Sequence, residues 1–351
     1  MEMNSLVVPA LTVIIKTLNE ERNIQRCIES IFVELKGLSI EVIVADSGSI
    51  DGTVDIASRF PVSVVQLKNK DEKSCGIGHQ LGFQYSRGKY ILVLDADMVV
   101  CGDFVKAALD RMSSDSQCGG VGGQLVERTG VGYEYDLRQR QVGSVDIDAE
   151  VKWLDGSALY RRDAILDVGY LTNRNLHAFE EKELGLRLRA AGWHLCKYPM
   201  VAVEHYGYAI DSWRLLLRRW NSGYADACGE SVKACVFQPY FLEMVFVHKS
   251  IFATLIFQIM FIFAGVVSYW TVAPLFLCVA FLLAGSAVQV LRKQSVERGL
   301  YSVVYLNLFS LGLVRGLFKP QVDPRTPIQS SLLSSPKMLI GPGSGPVESG
   351  A

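Results

Sequence analysis

Over the first hundred residues, apolar runs of four to six positions alternate with stretches whose apolar residues recur every three or four. Residues 11–15 read as a strand, 20–34 as a helix with Ile24, Ile28 and Ile31 on one face, and 41–45 as the next strand. Residues 49–59 follow as a helix, 62–67 as an extended segment and 75–85 as a helix. The strand that comes next, Tyr90-Ile91-Leu92-Val93-Leu94, stops abruptly at Asp95-Ala96-Asp97. Strands alternating with helices, with crossovers long enough for parallel pairing, predict an α/β fold on a mostly parallel sheet. Beyond Asp97 the pattern loosens. Residues 104–112 look helical, 119–126 extended, 128–152 polar and without a clear period, and 180–191 helical up to Gly192. Residues 212–220 carry Arg214, Arg218 and Arg219 between Trp213 and Trp220, either a helix for an anionic leaflet or a solvated basic face.

No charged residue occurs from Ser250 to Leu291. That length accommodates two spans of about 20 residues, 250–269 and 272–291, joined near 268–274 as a helical hairpin. Residues 300–314 are apolar but short, a third span or an interfacial helix, and the reading favours the interface. Arg292, Lys293 and Arg298 follow the hairpin while its turn has no Lys or Arg, which places both ends in the cytoplasm. Residues 1–10 lack the basic start and apolar run of an export signal, so the N-terminal domain is expected on the cytoplasmic face of the inner membrane. The expected organisation is an α/β domain over 1–236, membrane-associated helices over 237–318, and a disordered Pro-, Ser- and Gly-rich tail over 319–351.

Composition agrees with a membrane-attached protein: 50% of residues are hydrophobic and 20% charged. A net charge of −1 excludes a nucleic-acid binder with a basic face. The eight cysteines are scattered with no Cys-X-X-Cys pair, so neither a zinc site nor a disulfide framework is indicated.

Two carboxylates one residue apart cannot lie unpaired inside a sheet core, so Asp95 and Asp97 belong at the strand's carboxyl end. Open α/β sheets bind ligands there. Such carboxylates can hold a hard divalent cation that screens nucleotide phosphates, although an Asp-X-Asp is also ordinary material for a turn or N-cap. Thr17, Asn19 and Glu20 follow the first strand, and Asp46 and Ser47 the second; parallel strands would gather all of these on one edge. The segment Asp46 to Thr53 suits a base or ribose contact, and equally a plain turn opening a helix.

Val13-Ile14-Ile15-Lys16-Thr17-Leu18-Asn19-Glu20-Glu21, Val44-Ala45-Asp46-Ser47-Gly48-Ser49-Ile50-Asp51-Gly52-Thr53 and Asp95-Ala96-Asp97, in this order and spacing, resemble the inverting family-two glycosyltransferases of the Rossmann-like GT-A fold. The resemblance covers roughly the first two hundred residues. It implies that Thr17, Asn19 and Glu20 lie near the donor's base and ribose, with Asp46 and Ser47 at the base. It also implies that Asp95 and Asp97 form the motif for a divalent cation, Mn²⁺ or Mg²⁺, with Asp97 the direct ligand on the diphosphate of a UDP-sugar. Gly156-Ser157-Ala158-Leu159-Tyr160-Arg161-Arg162 looks like the family's acceptor-side segment. Phe179-Glu180-Glu181 looks like the helix start whose second acid is the catalytic base, here Glu181 in place of the family's aspartate.

Departures narrow the expectation. His79 and Gln80 stand where the family carries Arg or Ala followed by Asn, and His79 either reaches a phosphate or packs. Arg219-Trp220 keeps part of the processive enzymes' Gln-X-X-Arg-Trp without its Gln, which points to transfer of a single sugar with Arg219 and Trp220 as acceptor or phosphate contacts. His205 matches a recurrent family histidine that contacts phosphate or metal, or packs. The expected partners are therefore a nucleotide-sugar, a lipid-linked saccharide acceptor in polysaccharide or glycolipid synthesis, and the membrane. Competing readings are a polyprenyl-phosphate glycosyltransferase and a catalytically dead scaffold of the same fold. A transporter fits poorly, because the spans hold no charged or Gly/Pro-broken pair.

Overall fold

A computed structural model describes residues 8–129, 132, 133, 135, 136, 149–268 and 273–336. Strands β1 (Leu11–Thr17), β2 (Ile40–Asp46), β3 (Ser63–Leu67) and β4 (Tyr90–Asp95) pair in parallel in the order β3-β2-β1-β4. Their crossovers contain α1 (Ile24–Glu34), α2 (Thr53–Ala57) and α3 (Cys75–Tyr85). Successive side chains of a strand point to opposite faces. Val13, Ile15, Leu92 and Leu94 accordingly pack in one layer with Ile24, Ile28 and Ile31 of α1. Ile14, Ile43, Ile91 and Val93 pack in the other, with Ile77 and Leu81 of α3. The register sets Thr17 opposite Asp46 and Lys16 opposite Asp95, so the polar strand ends share one edge.

The rest of the sheet departs from the expected parallel order. After β5 (Met98–Val100) and α4 (Gly102–Ser114) come β6 (Cys118–Thr129), β7 (Ala149–Glu150) and β8 (Leu159–Arg161). Helices α5 (Arg162–Asp167) and α6 (Glu180–Ala190) then lead to β9 (His194–Tyr206). Strand β8 runs antiparallel between β4 and β6, while β9 runs parallel to β6 and antiparallel to β5 and β7. The sheet is mixed rather than mostly parallel. A parallel neighbour needs a crossover of a dozen or more residues, and β5 begins three residues after β4 ends.

Helices α7 (Ser212–Asn221), α8 (Ala227–Ala234) and α9 (Phe241–Val247) precede three longer ones, α10 (Lys249–Val267), α11 (Ala273–Lys293) and α12 (Val296–Phe318). Helices α10 and α11 cover most of residues 250–269 and 272–291; the turn residues 269–272 lie outside the described residues. Ile262, Phe263, Phe276 and Leu283 are each between 65% and 70% exposed, an apolar surface that water does not favour. By length and composition α10 and α12 are long and apolar enough to cross a membrane. The C-terminal half of α12, however, lies against α8 and the segment before it. A Cβ on Gly229 would come 2.0 Å from the Leu313 carbonyl oxygen, and one on Gly316 2.0 Å from that of Asp226, so the helices meet backbone to backbone. Arg315 bonds Asp226 at 2.7 Å, and Lys319 reaches Asp226 at 2.8 Å and Glu230 at 2.9 Å.

The tail expected to be disordered from 319 is ordered through 336. Strand β10 (Ser330–Ser334) adds antiparallel to the free edge of β3. On the way, Val322 exchanges hydrogen bonds with Asn175, Arg174 Nη1 donates to the Thr326 carbonyl at 2.9 Å, and Ile328 exchanges bonds with Gln84 and is 3% exposed. Composition alone marked this segment as disordered. What orders it is an edge strand with unpaired backbone groups, which only the folded domain supplies. Residues 337–351 lie outside the described residues.

Candidate active site

At the end of β1, Asn19 takes a left-handed backbone (φ 57°) that lets its Oδ1 accept from the Ile50 amide at 2.9 Å while its own N–H donates to Ser49 Oγ at 2.8 Å. This ties the first motif to the second. Asp46 is fully buried and accepts from the Gly48 and Ser49 amides, both at 3.0 Å, and from Gln66 Nε2 at 2.8 Å. Its carboxylate organises the turn, as the plain reading of that segment had it. Ser47 is also buried and donates its amide to the Thr17 carbonyl. The Thr17 hydroxyl is buried without a partner among the described residues. Glu20 Oε2 is held by Asn23 at 2.9 Å and by the Tyr208 hydroxyl at 3.2 Å, and burial raises its pKa.

Lys16, for which the sequence suggested no role, lies at the centre. Its Nζ is 3.1 Å from Asp95 Oδ1 and 3.5 Å from Glu180 Oε1. Burial opposes its charge, but the two carboxylates overcome this and hold its pKa well above the ordinary range. Gly78 leaves the space: a Cβ there would come 2.2 Å from Lys16 Cγ. His79, fully buried 3.4 Å from the Leu94 carbonyl, is pushed down to about 3 by burial and by Lys16, and it packs as a neutral imidazole.

Asp97 lies on the same edge. His205 on β9 places Nε2 3.1 Å from Asp97 Oδ2 and Nδ1 2.6 Å from Glu127 Oε2, and these carboxylates raise its pKa to about 10 against its burial. The second oxygen of Asp97, Oδ1, is buried and has no hydrogen-bond partner among the described residues. Among those residues no three His, Cys, Asp or Glu side chains gather closely enough to cage a metal alone. Mg²⁺-type ions need only one or two carboxylates when substrate phosphates supply further oxygens. The orphaned Asp97 oxygen beside Asp95 fits that arrangement.

Helix α6 brings the remaining carboxylates. Phe179, its N-cap, adopts φ 66°, and the helix is fixed by Arg187, which bonds Glu183 at 3.0 Å and the Tyr170 carbonyl at 2.6 Å. Glu180 faces Lys16, and burial raises its pKa. Glu181 is half-buried, and no other side chain hydrogen-bonds its carboxylate among the described residues. Burial, then the neighbouring Glu180, raises its pKa to about 8. Gly156 lies beside it, where a Cβ would come 3.2 Å from Glu181 Oε1, and Ser157 is buried next in the chain. The acceptor-side segment and the expected base are thus adjacent. Arg219 lies over Tyr224, and Trp220 is covered by Arg315 of α12 at 4.1 Å; Trp220 and Tyr224 pack in the apolar cluster that also holds Phe179, the N-cap of α6.

Lys16→Met is expected to leave Asp95 and Glu180 without their shared cation. Because Lys16 lowers the Glu181 pKa, the variant should raise it further, so that any turnover needing ionised Glu181 requires a higher pH; a pH profile unchanged from wild type would remove Lys16 from the site's electrostatics.

Residues 12–169 match the family model described as Glycosyl transferase family 2. The chain is similar to the low-salt glycan biosynthesis hexosyltransferase Agl6 of Haloferax volcanii, 40% identical over 96 residues that cover 27% of this chain and 22% of that protein. It is also similar to a dolichol-phosphate mannosyltransferase of Pyrococcus furiosus, 33% identical over 92 residues, 25% of this chain and 26% of the relative. The chain spans under a third of the length of these relatives. Among solved structures, the mannosyltransferase PcManGT from Pyrobaculum calidifontis, in complex with GDP-Man and Mn²⁺, shares the fold with a TM-score of 0.57 at 17% identity, covering 88% of this chain and 87% of that one. The fold is a GT-A-like α/β fold with a mixed sheet, as the motifs led one to expect except in strand direction.

Proposed function

We propose that this chain, whose residues 12–169 belong to glycosyl transferase family 2, moves one sugar from a nucleotide-sugar to a lipid-linked saccharide, with inversion at the anomeric carbon. The observation that carries this reading is Glu181: a half-buried carboxylate raised to about 8, free of side-chain partners, set against Gly156 on the same edge as Asp97. A base near neutrality is what removal of a proton from an attacking hydroxyl requires. The hydroxyl attacks the anomeric carbon as its proton passes to Glu181, the bond to the nucleoside diphosphate breaks, and no covalent intermediate forms. A divalent cation, Mn²⁺ or Mg²⁺, held by Asp97 and Asp95 would supply positive charge to the departing diphosphate. Thr17, Asn19 and Glu20 line the edge where the nucleoside, a UDP in this reading, would lie; Asp46 and Ser47 shape that edge from behind.

The complex of PcManGT with GDP-Man and Mn²⁺ supports a nucleotide-sugar and a cation for this fold. Exposed apolar helices α10 and α11 support attachment to a membrane, with the catalytic domain on the cytoplasmic side. Nucleotide release from UDP-, GDP- and dTDP-sugars by the detergent-purified chain, with Mn²⁺ and a lipid extract, tests the reading. Asp97→Asn is expected to cut release from the productive donor by about 100-fold or more. No release from any donor by folded protein would leave a scaffold of the same fold. The second reading, a polyprenyl phosphate acceptor, is favoured by the similarity to a dolichol-phosphate mannosyltransferase. A phosphate nucleophile needs no base, so Glu181→Gln would then cost little.

A further inference from the structure

A cavity of about 990 Å³ opens where the start of α10, the end of α11 and the start of α12 meet Tyr133 and Asp136. It plays no part in the chemistry above. Arg292 and Lys293 line it, are exposed, and make no ion pair among the described residues. Arg298 lines it too, bonded to Asp136 at 2.6 Å and lying over the Tyr133 ring. Glu297 faces the Tyr133 hydroxyl, and Asp211 also lies near that ring. Gln294, at φ 51°, makes the connection from α11 to α12 tight enough to bring all three cations to one mouth. A second, apolar groove of about 390 Å³ runs between the same three helices and shares Ser250, Gln289 and Leu306 with the cavity; Phe257, Leu282 and Val303 line its walls.

We infer that this pair of cavities binds one anionic phospholipid, its phosphate at Arg292 and Lys293 and an acyl chain in the groove. Two unpaired cations at the head of an apolar groove complement an amphiphile with an anionic head. A soluble phosphate or nucleotide would leave the groove empty. The cations stand at the ends of helices whose outer faces are apolar and exposed, the depth at which lipid phosphates lie beside a membrane protein. The inference rests on the reading of α10 and α11 as membrane-embedded and is independent of the transfer chemistry.

The test uses the full chain in nanodiscs of phosphatidylcholine with phosphatidylglycerol, with retained lipids counted by native mass spectrometry. Wild-type protein is expected to retain one phosphatidylglycerol. Each neutralised cation should weaken retention roughly five-fold, so Arg292→Gln with Lys293→Gln should weaken it about 25-fold. Gly285→Phe, which fills the groove from a position with nothing within 4 Å, should also release the lipid while leaving both cations in place. Nucleotide release from the donor should be unchanged in all these variants, which separates failure here from failure of the proposed transferase. Equal retention of phosphatidylcholine, displacement by millimolar inorganic phosphate, or preferential retention of a polyprenyl phosphate would each overturn the assignment, the last by making this the acceptor's own site.

Discussion

Glu181→Gln is expected to lower transfer to a hydroxyl acceptor by about 100- to 10,000-fold while donor binding stays near wild type. The amide keeps the shape of the carboxylate and the contact with Gly156 but cannot take a proton. Its sign with pH follows from the environment: burial and Glu180 disfavour the ionised form, so in the free protein the group is mostly protonated at pH 7. The kcat/KM for transfer should therefore rise with pH and level off above about 8, and the variant should lose that rise. A variant retaining wild-type kcat on a hydroxyl acceptor would remove Glu181 as the base. Glu181→Asp offers a second readout, since one methylene less increases the gap to the acceptor: partial activity with the same direction of pH dependence is expected.

The second large effect concerns stability. Lys319→Ala is expected to destabilise the chain by about 1.5 to 3 kcal/mol, because Lys319 donates charge-assisted hydrogen bonds to two buried carboxylates, which keep only Arg315 and His177 as partners without it. Asp226 and Glu230 are each 1% exposed. Beside Lys319, Glu230 is held by His177, whose Nδ1 lies 2.9 Å away. Burial alone would raise the Glu230 pKa, but His177 and Lys319 lower it below the usual carboxylate range. The stabilisation this group supplies is thus present above the unfolded-state pKa and is lost as pH falls through the lower native one. Urea unfolding of the detergent-solubilised protein at pH 7 and in acid should show the wild-type advantage over Lys319→Ala shrinking on acidification. Equal midpoints at pH 7 would show that the pairing contributes nothing net. Lys319→Arg should retain most of the stability. His177 lies three residues before Glu180, so the same cluster also fixes the approach to α6.

Periodicity was sufficient for the first half of the domain because each element there has a local cause. Five apolar residues before Asp95 make a strand buried on both faces, and Ile24, Ile28 and Ile31 mark the helix that covers it. The order of β5 to β9 was not legible, since a strand carries no local signature of the neighbour it chooses: β6 and β9 pair in parallel although β7, β8 and two helices lie between them in the chain. The motifs singled out Asp97, Glu181, Gly156 and His205, and the fold sets His205 beside Asp97 and Gly156 beside Glu181. Lys16, Glu180 and Glu127 escaped notice. A lysine near the end of a buried strand was the available signal for Lys16, but its value depends on two carboxylates 79 and 164 residues away in sequence.

The sequence by itself determined the α/β core, the polar strand ends and the apolar helices, because each is written in a contiguous run of residues. The tertiary structure alone decided that Asp46 is consumed by its own turn, that Lys16 joins Asp95 to Glu180, and that the segment after α12 returns as strand β10. Burial and charge pairing between distant segments set those outcomes: a carboxylate's partner and an edge strand's cover exist only once the chain has folded.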